Sequence, residues 1–331
     1  MVKPRPQSDQ NGVAAWTAAI ARGDERALAR MLSLIEARAP IALEVLRELY
    51  GRTGKAAVVG VTGAAGSGKS TLIAALAEEF RRRQKKIGIL TVDPTSPLTG
   101  GALLGDRVRM RELFLDRGVF IRSLANRGHA GGVAGALHQS VQLLDAAGKE
   151  VILVETIGVG QDQVEIADIA ETVVLLMTPE SGDEVQAMKA GIIELADIFV
   201  INKADLPGAR ALREKLLSVI DVGEEKLYLA SATRRDGMSA LADGILRHRE
   251  QLHADHRQRD NELVRARAQL WAALRETVLV RLEKQIGSAD TEQWAQKIAE
   301  RRSDPYSAAE TLLAGFATES VSTQRPDKRK Q

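Results

Sequence analysis

Cysteine is absent from this 331-residue chain, which removes disulfides and thiolate metal ligands and suits a reducing compartment. Aromatic residues make up only 3% of the sequence, so the core must be assembled from Leu, Ile, Val and Ala. No stretch approaches the roughly 18 consecutive apolar residues that span a bilayer. The segment Met1–Gln10 is polar, unlike the apolar centre of a secretory signal. A soluble, cytoplasmic protein without a membrane partner is expected. Charge of one sign is also missing. Lys and Arg total 46 against 44 Asp and Glu, a formal net charge of +2, which gives no electrostatic reason to expect a nucleic-acid partner. With 44% hydrophobic and 27% charged residues, the chain is of ordinary globular type, long enough for one large domain with appendages or for two domains.

What is present falls into three textures. From Val13 to Tyr50 the chain is rich in Ala and Leu with charges at helical spacing, predicting two or three short helices punctuated by Gly23 and Pro40. From Ala56 short β-branched runs alternate with longer amphipathic ones. The runs are Ala57–Val61, Ile87–Val92, Val119–Ile121, Val151–Val154, Val173–Leu176 and Ile198–Ile201. Several are apolar on both faces, the mark of buried parallel strands joined by crossover helices. The helix after the first strand carries Leu72, Ile73, Leu76, Ala77 and Phe80 on one face. After about Asp255 the strands stop. Leu263, Leu270, Trp271, Leu274, Val278 and Leu282 then form an apolar stripe on a long helix, and Pro305 opens the last helix. From Thr318 the tail is polar and basic and is expected to be disordered. The fold expected is α/β: a mostly parallel sheet with helices on both faces and helical N- and C-terminal extensions.

Gly63-Ala64-Ala65-Gly66-Ser67-Gly68-Lys69-Ser70 matches G-x-x-x-x-G-K-[ST], followed by Thr71. The preceding strand and the following amphipathic helix are the context this P-loop needs. Glycines let successive N–H groups curl around phosphate oxygens, and the helix N-terminus adds a favourable dipole. Lys69 reaches the β/γ-phosphates, and Ser70 offers a hydroxyl to Mg²⁺. After the run Ile198–Ile201 comes Asn202-Lys203-Ala204-Asp205. A carboxylate there can accept from N1–H and the 2-amino group of guanine, a donor pair adenine lacks. Ser231-Ala232-Thr233, after Lys226–Leu229, resembles a further guanine-contacting loop. GTP and GDP with Mg²⁺ are therefore the expected ligands.

Glu155-Thr156-Ile157-Gly158 follows the run Val151–Val154. Glu155 can hold Mg²⁺ directly or through water, and the Gly158 N–H can face a γ-phosphate. Glu155 stands where most GTPases have Asp. Asp93, at the end of Ile87–Val92, and Asp106, beside a glycine-rich stretch, complete the expected metal set with Ser70 and Glu155. Val159 stands where many GTPases place the water-orienting Gln, and the nearest glutamines are Gln161 and Gln163. Slow intrinsic turnover is expected, accelerated by a partner that orders the loops. The histidines His248, His253 and His256 fall in a charged helical stretch, expected to be a solvated face.

The segments Gly63–Thr71, Thr91-Val92-Asp93-Pro94, Asn126-Arg127-Gly128-His129, Glu155-Thr156-Ile157-Gly158-Val159-Gly160-Gln161 and Asn202–Asp205 together resemble one family, the methylmalonyl-CoA-mutase-associated GTPases of the MeaB/ArgK-like group. The resemblance covers roughly 15–320. It implies a GTP-hydrolysing chaperone that gates cofactor loading and protects or reactivates an adenosylcobalamin-dependent methylmalonyl-CoA mutase, with a cobalamin adenosyltransferase as a further partner. It also implies a homodimer joined through helical C-terminal arms. The loop after Val173–Thr178 would be a further switch, with Gln186 and Lys189 reaching the nucleotide or partner. The catalytic candidates are then Lys69, Asp93, Glu155 and Lys189. The expected organisation is an N-terminal helical extension (1–50), a P-loop GTPase domain (51–256), a dimerisation arm (257–317) and a tail (318–331).

Two other activities compete with this one. Some relatives have been labelled kinases of basic amino acids, but no segment identifies itself as an acceptor pocket. Nickel-insertion GTPases typically carry Cys or His near the P-loop or switches, and nothing comparable lies beside Gly63–Ser70. Partitioning ATPases place Lys directly after the first glycine, where this chain has Ala64.

Overall fold

The computed structural model describes residues 10–94, 110, 113–126, 132–155, 162–181, 192–219, 223–254 and 257–322. The chain divides into two compact units, Met1–Gln269 and Leu270–Gln331.

The first unit opens with α1 (Gln10–Ala21), α2 (Glu25–Glu36) and α3 (Pro40–Leu49). The breaks fall at the expected punctuation. Gly23 adopts φ +77, and Pro40 starts α3, where a missing N–H costs nothing. Asp24 caps α2 by accepting from the Arg26 and Ala27 amides at 2.9 and 3.0 Å, which satisfies two otherwise orphaned donors.

Among the described residues seven strands follow: β1 (Ala57–Gly63), β2 (Ile87–Pro94), β3 (Val119–Asn126), β4 (Val151–Glu155), β5 (Thr172–Met177), β6 (Ile198–Ile201) and β7 (Leu227–Leu229). They form one sheet in the order β3-β2-β4-β1-β5-β6-β7, with every pairing parallel. Each expected apolar run is a strand. The crossover segments carry α4 (Lys69–Arg82), α5 (Gly132–Ala146), α6 (Asp162–Ile169), α7 (Ile192–Leu195) and α8 (Ala209–Val219), and α9 (Met238–Ala254) follows β7.

Period-two alternation assigns the strand side chains to separate cores. Ala57, Val59 and Val61 of β1 join Leu72, Ile73, Leu76 and Phe80 of α4 and Leu241 and Ile245 of α9 on one face. Val58 points the other way, into a core with α5, α6 and the three N-terminal helices. A third cluster packs β5 and β6 against α8. The helices α1–α3 thus share the core of the sheet. Gly60 permits the close seating of α6 on β1, because a Cβ there would meet Ile166 at 2.4 Å.

Three details differ from expectation. β3 runs on to Asn126 because its polar residues find partners: Ser123 and Thr91 hydroxyls lie 2.8 Å apart, and Arg122 donates to Glu36 of α2 at 2.7 Å. His248 is not on a solvated face. Its Nδ1 lies 2.9 Å from the Thr172 hydroxyl and its Nε2 3.4 Å from Asp197. The last helix continues past Thr318, since no Gly or Pro interrupts the sequence before Pro326.

The division between the units falls within α10 (Arg257–Gln285), and the second unit continues with α11 (Ser288–Ala299) and α12 (Pro305–Ser322). On α10 the side chains of Leu263, Leu270, Trp271, Leu274 and Val278 are exposed. Among the described residues no helix is long and apolar enough to cross a membrane.

Candidate functional site

In a parallel sheet all strands deliver their carboxyl ends to one edge, where open α/β folds bind ligands. The register fixes what arrives there. Val61 pairs with Glu155, and Thr91 pairs with Glu155 on the other side. The end of β4 therefore lies between the start of the P-loop and the end of β2. Asn202 follows β6, and Ser231 lies just beyond β7.

The loop between β1 and α4 is shaped by its glycines. Gly68 adopts φ +91 at the N-cap of α4, and a Cβ there would stand 2.5 Å from Nδ2 of Asn202. Both the backbone and the space demand glycine. The Lys69 ammonium donates to the carbonyls of Gly63 and Ala64 at 3.0 Å each, so the cation sits inside the curl of the loop. The Ser70 hydroxyl donates to Oε1 of Glu155 at 2.7 Å, and both residues are buried. Two hard oxygen donors thus meet at the first turn of α4, whose N-terminus also favours anions.

Asn202 ties three segments together. Its Nδ2 donates to the Ser67 carbonyl at 2.8 Å, while its Oδ1 accepts from the Ala232 amide at 3.2 Å. The side chain is buried at 2% exposure. Lys203 takes a left-handed backbone, φ +56, and its ammonium lies 3.1 Å from Glu180. The Asp205 carboxylate accepts from the Ser231 hydroxyl at 2.6 Å, with Arg234 at 3.5 Å. The Ser231 bond, assisted by Arg234, holds the Asp205 carboxyl below the usual carboxylate range, so it is an anion at neutral pH.

A cavity of about 300 Å³ lies at this edge, lined by Gly66, Gly68, Lys69, Ser70, Thr71, Glu155, Asn202, Lys203, Ala232 and Thr233. Ala65 faces solvent on the outer turn of the loop. Asp93 is in β2, paired with Ala125. Asp106, Gly158, Gln161, Gln186 and Lys189 lie outside the described residues. Thr233, part of the Ser231-Ala232-Thr233 loop expected to contact guanine, lines the cavity, whereas Arg234 escapes sequence reasoning because an Arg in a polar loop carries no periodic or motif signal.

The family described as methylmalonyl Co-A mutase-associated GTPase MeaB matches residues 28–287. The chain belongs to this family. Its P-loop, N-K-x-D and E-T-x-G segments all fall within the matched span. A Pyrococcus abyssi protein named as a GTPase is 41% identical over 312 residues, covering 92% of this chain and 96% of that one. The methylmalonic aciduria type A homolog of Caenorhabditis briggsae is 34% identical over 248 residues, covering 67% of this chain and 60% of that one. A solved LAO/AO transport system kinase shares the fold with a TM-score of 0.67 at 23% identity, covering 94% of this chain and 100% of that one. As a member of the family, the chain is a mutase-associated P-loop GTPase.

Proposed function

We propose that this protein is a GTP-hydrolysing chaperone that gates cofactor loading and protects or reactivates an adenosylcobalamin-dependent methylmalonyl-CoA mutase. The observation that carries the nucleotide reading is the linkage of P-loop and base loops through one buried side chain. Asn202 bonds to Ser67 on one side and Ala232 on the other, beside a carboxylate held by Ser231. In this reading one side chain joins the phosphate cradle to the loop that carries the anionic purine selector.

In this reading the loop amides from Gly63 to Gly68 and the Lys69 ammonium hold the phosphates. Asp205 accepts from the guanine N1–H and 2-amino group. Ser70 and Glu155 fit Mg²⁺, which takes oxygen donors and typically uses only one or two protein ligands, keeping several waters. When bound, Mg²⁺ would neutralise developing phosphate charge. Asp93, and Asp106, Gly158 and Lys189 outside the described residues, are assigned as metal, γ-phosphate and switch contacts. Ala64, Ala65 and Thr71 extend the phosphate-binding segment. The mutase assignment is supported by the family and by the name of the nematode relative. Homodimerisation through the apolar stripe of α10 and engagement of a cobalamin adenosyltransferase are further parts of the proposal.

The test has two arms. Asp205→Asn should shift preference from GTP towards xanthosine triphosphate, because xanthine presents a carbonyl where guanine has an amino group. Unchanged GTP preference in competition binding would refute the base assignment. GTP turnover should rise with purified mutase and not with free arginine. Stimulation by arginine alone, with phosphoarginine formed, would replace the chaperone with a kinase.

A further inference from the structure

The loop that follows β7 is closed on itself. Ser231 and Asp236 exchange backbone hydrogen bonds at 3.1 Å in both directions. Within it Arg235 adopts φ +60, a left-handed conformation that non-glycine residues rarely keep without a compensating contact. The compensation is visible. One guanidinium nitrogen donates to the Ala232 carbonyl at 2.7 Å, and the other two donate to Glu78 at 2.6 and 2.7 Å. Glu78 lies on α4, the helix whose first turn carries Lys69 and Ser70. Only Arg offers a planar fork that meets a carboxylate bidentately while reaching a carbonyl with a further N–H. Five residues on, Arg83 repeats the linkage by bonding Asp243 at 2.6 Å and the Ser239 carbonyl at 3.1 Å on α9.

We propose that Arg235 and Glu78 form a strut that fixes the purine-selecting loop against the phosphate-binding helix, making Arg235 a positioning residue for base recognition. The pair is partly exposed, so its contribution to global stability is small; what it fixes is distance. The same loop holds Asp205 through the Ser231 hydroxyl and, through the Ala230 carbonyl, accepts the Ala204 amide at 2.9 Å. Loosening the strut lets Ser231 and Ala232 drift and releases the aim of the carboxylate, while the P-loop keeps its shape. This inference rests on the guanine reading of Asp205.

The experiment is calorimetric binding of GDP, ADP and inorganic pyrophosphate, each with Mg²⁺, to the full chain and to Glu78→Ala, Arg235→Asn and the double variant. Asn tolerates left-handed backbone, and Ala suits the helix, so the fold is retained. Each single variant should weaken GDP about tenfold, or roughly 1.4 kcal/mol, leave pyrophosphate unchanged, and reduce the preference for GDP over ADP by the same factor. The double variant should be no worse than either single. Equal weakening of GDP and pyrophosphate, or an unaltered GDP preference, would overturn the strut alone. A wild-type chain that binds GDP no better than ADP would overturn the guanine reading, and the strut with it.

Discussion

Replacing Asn202 tests the architecture of the site at one atom. Asn202→Ala removes the bonds to Ser67 and Ala232 and leaves a carbonyl and an amide unsatisfied at a position 2% exposed. A buried hydrogen bond contributes about 1 kcal/mol net, and an orphaned buried partner costs about 1–3 kcal/mol. With partial relaxation of the loops, about 2–4 kcal/mol of stability should be lost. Asn202→Asp is the sharper probe because it is nearly isosteric. Its Oδ1 still accepts from Ala232, but an anionic oxygen replaces the amide nitrogen 2.8 Å from the Ser67 carbonyl. Oxygen then faces oxygen in a buried place, which should cost more than the Ala deletion at about pH 8. Burial raises the pKa of the new carboxyl, so the folded variant binds a proton that its unfolded chain does not. Its stability deficit must therefore grow as pH rises above the unfolded value near about 4 and shrink towards about pH 5, where a protonated carboxyl can donate to Ser67. Guanidinium unfolding followed by circular dichroism at about pH 8 and about pH 5.5 reads both effects. If both variants stay within about 0.5 kcal/mol of wild type, or the Asp deficit is independent of pH, Asn202 does not staple these loops.

Other perturbations are equally direct. Gly60→Ala places a methyl 2.4 Å from Ile166 and should cost about 1–3 kcal/mol by forcing α6 off β1; an unchanged denaturation midpoint would show that the helix has room. Lys69→Ala removes the ammonium held by two carbonyls of the P-loop and should lower GTP turnover by at least about 100-fold. Near-normal turnover would remove Lys69 from the catalytic set. Burial lowers the pKa of His138 on α5, so the folded chain keeps it neutral while the unfolded chain gains a proton below about pH 6.5. That contribution is present above this value and fades as pH falls. His138→Gln should accordingly flatten the decline in Tm between about pH 7.5 and about pH 5.5, whereas parallel curves would contradict the argument.

Much of the site is legible in residue order because its chemistry is local. The spacing from Gly63 to Ser70 encodes a strand, a tight loop and a helix N-terminus within a few residues, and Asn202–Asp205 sits directly after an apolar run. The strands are equally legible, since residues such as Val151–Val154 can be apolar on both faces only inside a covered parallel sheet. Strand ends are less so. Arg122, Ser123 and Asn126 look like loop residues until Glu36, Thr91 and β2 supply their partners.

Residue type and short spacing were enough to specify the nucleotide motifs, the succession of elements and the family. Three features emerged only from the folded chain: both ends of the Asn202 amide are committed to other loops, Gly60 lies under α6, and Arg235 reaches a helix 157 residues earlier. These are contacts between segments far apart in the chain, and they exist only once the sheet has fixed which strand ends are neighbours.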